Sequence, residues 1–125
     1  MTNLVAITVA LLMSVESNGR MDAIGDHGHA VGVLQVHACM VRECNRLYPQ
    51  YGFTLADRHD PALSQVMARI WLGWAASHYR IVDPRKLAMR WNCPHTGKPS
   101  RAYMRRVDTC WKRKRWAWTL YPRAP

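Results

Sequence analysis

Carboxylates are scarce in this chain: eight Asp and Glu stand against eighteen Lys and Arg, a formal net charge of +10 at pH 7 and a pI of about 10.1. That balance favours polyanionic partners such as nucleic acid, phosphorylated lipid surfaces or an anionic cell wall. The four cysteines, Cys39, Cys44, Cys93 and Cys110, contain no C-x-x-C pair, which removes the usual signature of a structural zinc site. No apolar run reaches the roughly 20 residues that span a bilayer. The longest, Leu4 to Val15, has no Lys or Arg before it and no small-x-small cleavage site after it, so it lacks the flanks of a secretory signal. Internal repeats and low-complexity segments are absent. A length of 125 residues suffices for one domain with a real core but not for two.

What is present is mostly helical pattern. Leu4 to Val15 reads as a buried helix, begun near Thr2 or Asn3 as cap and stopped by Asn18-Gly19, which leaves Glu16 at its C-terminal end. From Gly19 to Val36, the glycines Gly19, Gly25, Gly28 and Gly32 and a short alternation near Val31, Val33 and Leu34 predict turns and a small hairpin. A helix is expected from His37 to Tyr48, with Met40, Val41, Cys44, Leu47 and Tyr48 inward and Cys39 outward beside Glu43 and Arg46. Asp60-Pro61 starts a long helix striped by Leu63, Val66, Met67, Ile70, Trp71, Trp74, Ala75 and His78. Asp83-Pro84 starts a shorter one through Leu87, Ala88 and Trp91, ending near Asn92-Cys93-Pro94. Ser100 caps a last helix whose stripe is Tyr103, Met104, Val107, Cys110 and Trp111, with Arg101, Arg105 and Arg106 off it. The expected class is mainly α: a helical bundle around a buried central helix, with a small irregular β/turn lobe beside a cleft. Residues 1–111 form that domain, and 112–125 a basic aromatic tail.

Glu16 carries the most chemical content. An apolar wall disfavours the charged form of a carboxyl, so an acid placed there stays protonated near neutral pH and can give a proton to a leaving oxygen. Glycoside cleavage requires such an acid, usually with a second carboxylate about 5 Å away for retention or roughly 6.5–9.5 Å away for inversion. Asp22 and Asp26 are the nearest acids in sequence, and each also has a turn reading, Asp22 as a cap and Asp26 in an Asp-His-Gly turn. His27, His29 and His37 include a His-x-His pair, but in a glycine-rich lobe these read as exposed turn or strand residues, and no metal is expected. Trp71 and Trp74 belong to the core stripe, whereas Trp91 beside Asn92 is the better candidate for sugar contact. A Cys39–Cys44 bridge would span opposite sides of one helix, so a disulfide from it would go to Cys93 or Cys110.

The order Glu16-Ser17-Asn18-Gly19, Asp22-Ala23-Ile24-Gly25-Asp26, then Ala30-Val31-Gly32-Val33-Leu34-Gln35-Val36 resembles the soluble lytic transglycosylases and goose-type lysozymes. Arg90-Trp91-Asn92 and the helix holding Tyr103 and Val107 resemble that family's closing motifs, an Asn beside the cleft and a Tyr across from the acid. The likeness covers roughly Leu4 to Val107, and is greatest to short phage-encoded members. It departs where Cys93-Pro94-His95-Thr96 precede Gly97 and where Ala38 follows His37. The resemblance implies a lysozyme-like fold that cuts peptidoglycan between N-acetylmuramic acid and N-acetylglucosamine without a cofactor. It makes Glu16 the catalytic acid and Ser17 its support. Gly32 and Gln35 then shape and line the cleft floor, and Asn92 and Tyr103 contact sugar or stabilise the intermediate. It also implies a monomer acting in the periplasm or at the cell wall, delivered by phage or by a holin.

The tail joins Lys112-Arg113-Lys114-Arg115 to Trp116, Trp118 and Tyr121, a combination suited to an anionic cell wall or outer-membrane lipid. A solvated end is the plain alternative. Nucleic-acid binding, the rival from another functional class, accounts for the tail but gives no reason for the Glu16 to Gln35 arrangement. A third reading keeps the fold as a non-catalytic wall-binding module.

Overall fold

The computed structural model describes residues 2–92 and 98–114. Their elements are α1 (Thr2–Ser17), β1 (Ile24–Gly25), β2 (Ala30–Val31), α2 (Ala38–Leu47), α3 (Pro61–Tyr79), α4 (Pro84–Asn92) and α5 (Arg101–Arg113), with short 3-10 turns at Pro49–Tyr51 and Leu55–His59. The protein is mainly helical with one small antiparallel sheet, the class expected from its pattern.

Helix α1 is apolar on nearly every side, and such a helix is stable only when surrounded. Val5, Val9, Ala10, Leu11, Leu12, Met13 and Val15 are all buried, and α3, α4 and α5 pack around them. The buried hydroxyl of Thr8 is satisfied within the helix, donating to the Leu4 carbonyl at 2.7 Å. Asn18 and Gly19, with φ of 54° and 79°, turn the chain out of α1. Their N–H groups close on the Ser14 and Met13 carbonyls.

The other helix starts follow their local signals. The Asp60 carboxylate accepts from the Ala62 and Leu63 N–H groups ahead of Pro61, Asp83 accepts from the Arg85 N–H at 2.9 Å, and Ser100 accepts from the Tyr103 N–H at 3.1 Å. On α3 the fully buried arc is Ser64, Met67, Ala68, Trp71, Leu72, Ala75 and Ala76, turned from the expected stripe. Leu63, Val66, Ile70 and Trp74 form its edges, and His78 is exposed, its ring stacked on Trp74 at 4.6 Å. Because α3 packs against α1, α2 and α4, one stripe is too narrow to describe its inward side.

In the lobe, Ile24 pairs with Val31 and Gly25 with Ala30. The connecting loop takes left-handed backbone at Asp26, His27 and Gly28. A further bridge between Val31 and Val36 closes the turn Gly32 to Gln35. Helix α5 continues to Arg113, so Lys112 and Arg113 belong to the helix rather than to a separate tail. Arg115, Trp116, Trp118 and Tyr121 lie outside the described residues. Among the described residues no helix is long and apolar enough to cross a membrane.

Cys39 is exposed and Cys44 buried, as their helix positions require. Cys39, Cys44 and Cys110 are all free thiols, so of the two partners left open for α2, Cys93 and Cys110, the Cys110 bridge is not formed. Cys44 is a core residue instead, its Sγ 3.6 Å from the Met67 carbonyl. Cys93 lies outside the described residues.

Candidate active site

Glu16 occupies the last turn of α1, half-buried, where the apolar helix meets the lobe. Helix α5 runs against α1 and brings Tyr103 to it, the phenol donating to Glu16 Oε1 at 2.6 Å. Ser100 fixes the first turn of α5, and the Tyr103 ring is anchored in the core. Burial pushes the Glu16 carboxyl up from 4.5 to about 7. The Tyr103 hydrogen bond and the positive charge of Arg106 pull the other way without cancelling it. Arg106 is held in place by donating to the Val15 carbonyl next to the acid.

Ser17 is buried, and its hydroxyl lies 2.7 Å from the Val33 carbonyl and 3.1 Å from that of Met13. The Val33 contact ties the lobe to the end of α1, so Ser17 positions the acid's surroundings. Gly32 is buried at φ +84° against the Arg58 carbonyl, where a Cβ would collide with backbone. The Gln35 amide donates to the Ala23 and Gly32 carbonyls at 3.0 and 2.9 Å. Both residues therefore brace the lobe from within.

Trp91 does not stand free for a sugar to stack on. Its ring is only 6% exposed, packs edge-on against Trp71 and donates Nε1–H to the Leu34 carbonyl at 3.1 Å. Expecting a sugar contact there overlooked how far α4 is enclosed: it packs against α1, α3 and α5. Asn92 ends α4, and its side chain lies outside the description. Asp22 and Asp26 are both exposed, and Asp26 Oδ2 lies 3.7 Å from His37 Nε2.

Two arginines carry structure that the sequence reading missed. Arg58 donates to the carbonyls of Leu55, His29 and Val36, while its own carbonyl accepts from the buried Ser64 hydroxyl, so one residue clamps the lobe to α3. Arg106 sits three positions after Tyr103 on α5, and that neighbouring spacing was the available signal. A cavity of about 400 Å³ opens on the lobe between Asp26, His29, His37, Cys39, Leu55 and Arg58. Glu16 and Tyr103 are not among its walls. No three His, Cys, Asp or Glu side chains among the described residues group closely enough to hold a metal ion. No family model matches this chain, and no curated protein and no solved structure gives a significant match to it.

Proposed function

We propose that this chain cleaves the β-1,4 bond between N-acetylmuramic acid and N-acetylglucosamine in peptidoglycan, as a member of the soluble lytic transglycosylase and goose-type lysozyme group. The observation that carries the reading is the Glu16 carboxyl, half-buried, hydrogen-bonded to Tyr103 and titrating at about 7. An acid with that pKa is poised both to give a proton near neutral pH and to take one back. In the first step its proton passes to the departing glucosamine O4 as the muramic C1–O bond breaks. The muramic 6-hydroxyl then attacks C1, and its proton returns to Glu16, leaving a 1,6-anhydro end.

This single-carboxylate route is favoured over hydrolysis because Asp22 and Asp26 are both exposed, and Asp26 lies against His37. The substrate is then the glycan strand of the bacterial wall, and the place of action the periplasm or the wall itself. Glu16→Gln tests the reading: the variant should release no muropeptides from purified peptidoglycan while keeping its fold, and cleavage by that variant would overturn it. Mass spectrometry of the products separates the routes. Ends lighter by one water mark a transglycosylase, and reducing ends a hydrolase using an ordered water.

A further inference from the structure

Helix α5 presents two different faces. Tyr103 and Val107 are buried, and Met104, Cys110 and Trp111 are half-buried beside them. At roughly 100° per residue, the opposite arc carries Arg101, Arg105, Arg106, Lys112 and Arg113, all exposed, with only Ala102 and Thr109 between them. Asp108, the one acid of the helix, sits half-buried at the edge of that arc. The row runs the length of a 13-residue helix, about 20 Å. Among the described residues, no carboxylate pairs with Arg101, Arg105, Lys112 or Arg113; the ion pairs go to Arg46, Arg85 and His37.

We propose that the outer face of α5 is a docking stripe for a linear phosphodiester polymer of the bacterial envelope. Three features select that partner. Arg101, Arg105 and Lys112 fall within about 40° of one another around the helix and run along one line of it, which suits a chain of anions. Arg106 donates to the Val15 carbonyl, and three of the other four are arginines, whose planar fork meets two phosphate oxygens at once. The arc also lacks what the rival partners need. A lipid surface takes up a helix by its apolar face, and that face of α5 is packed against α1 and α4. Single-stranded nucleic acid is held by stacking on aromatic rings, and the arc carries none. The choice of an envelope polymer rests on the glycan-cleaving reading, whereas the phosphodiester chemistry rests on the arc itself.

The test uses the full chain and a fluorescent poly(glycerol phosphate) probe, with binding followed as salt rises. Arg101→Gln/Arg105→Gln should lower the slope of log affinity against log salt by about 1.4, the loss expected for two phosphate contacts on a single strand. Arg42→Gln/Arg69→Gln removes the same charge from exposed positions on α2 and α3 and should leave the slope unchanged. Equal losses in the two variants would overturn the proposal, because net charge alone would then explain binding. Tighter binding of the wild type to duplex DNA or to anionic lipid vesicles at the same salt would overturn the choice of polymer. Gln is a good helix former, so circular dichroism should match wild type in both variants.

Discussion

The phenolic oxygen of Tyr103 stands 2.6 Å from Glu16 Oε1, joining side chains 87 positions apart. One end of the contact is set by where α1 stops and the other by the Ser100 cap that starts α5. Two local chain signals thus converge on one proton. The bond opposes burial: the apolar wall favours the neutral acid, and the phenol favours the carboxylate. A group that must both release and recover a proton benefits from this opposition, because neither form is strongly trapped.

Tyr103→Phe keeps the buried ring and removes only the hydroxyl, so the Glu16 pKa should rise further. The alkaline limb of the peptidoglycan-cleavage profile should then move up by roughly 1 pH unit, the scale of one hydrogen bond to a charged group. A pH–rate series on both proteins checks this. An unmoved or lowered limb would show that the phenol does not tune the acid.

Glu16 also links stability to pH. Its folded pKa of about 7 lies above the ordinary 4.5, so the folded chain binds the proton more tightly than the unfolded one. The stabilisation is fully present below about 4.5 and is lost as pH rises through about 7. A shift of this size amounts to roughly 3 kcal/mol at most. Glu16→Gln carries no titrating proton and should lack this loss, becoming more stable than wild type above pH 7. Urea unfolding of both proteins from acid to mildly alkaline pH gives the difference, and parallel curves would contradict it.

Short-range signals made much of this architecture legible. Asp60, Asp83 and Ser100 mark three helix starts within a few residues of each site, and Asn18-Gly19 marks the end that leaves Glu16 in the last turn of α1. Tertiary packing decided the rest. The inward arc of α3 depends on which helices lie beside it, and the burial of Trp91 depends on a carbonyl 57 positions away. Arg58 looks like any surface cation until the lobe folds back over it. The same dependence leaves Trp71 with a buried indole N–H that has no hydrogen-bond partner among the described residues, a cost no local pattern announces.

Gly32 and Gly19 separate two backbone effects. Both have φ near +80°, but a Cβ at Gly32 would strike the Arg58 carbonyl, whereas nothing lies within 4 Å of one at Gly19. Gly19→Ala should cost about 1 kcal/mol, the conformational penalty alone. Gly32→Ala should cost roughly 2–4 kcal/mol, because the lobe must also shift from its Arg58 clamp. Thermal or urea unfolding of the pair measures the gap; equal costs would mean that the lobe moves freely.

Cys39 and Cys44 are five positions apart on the same stretch of chain and should differ sharply in reactivity. Cys39 is exposed, whereas Cys44 is fully buried and its thiol is pushed up to about 12, chiefly by burial. Only the thiolate attacks, so at pH 8 roughly one Cys44 in ten thousand is in the reactive form even before access is considered. Brief alkylation followed by peptide mass spectrometry should label Cys39 and leave Cys44 untouched. Added urea should then raise Cys44 labelling in step with loss of helix, because its Sγ is enclosed between α2 and α3 and reaches solvent only when that core opens. Labelling of Cys44 well below the unfolding transition would instead reveal a local opening of α2 from the core.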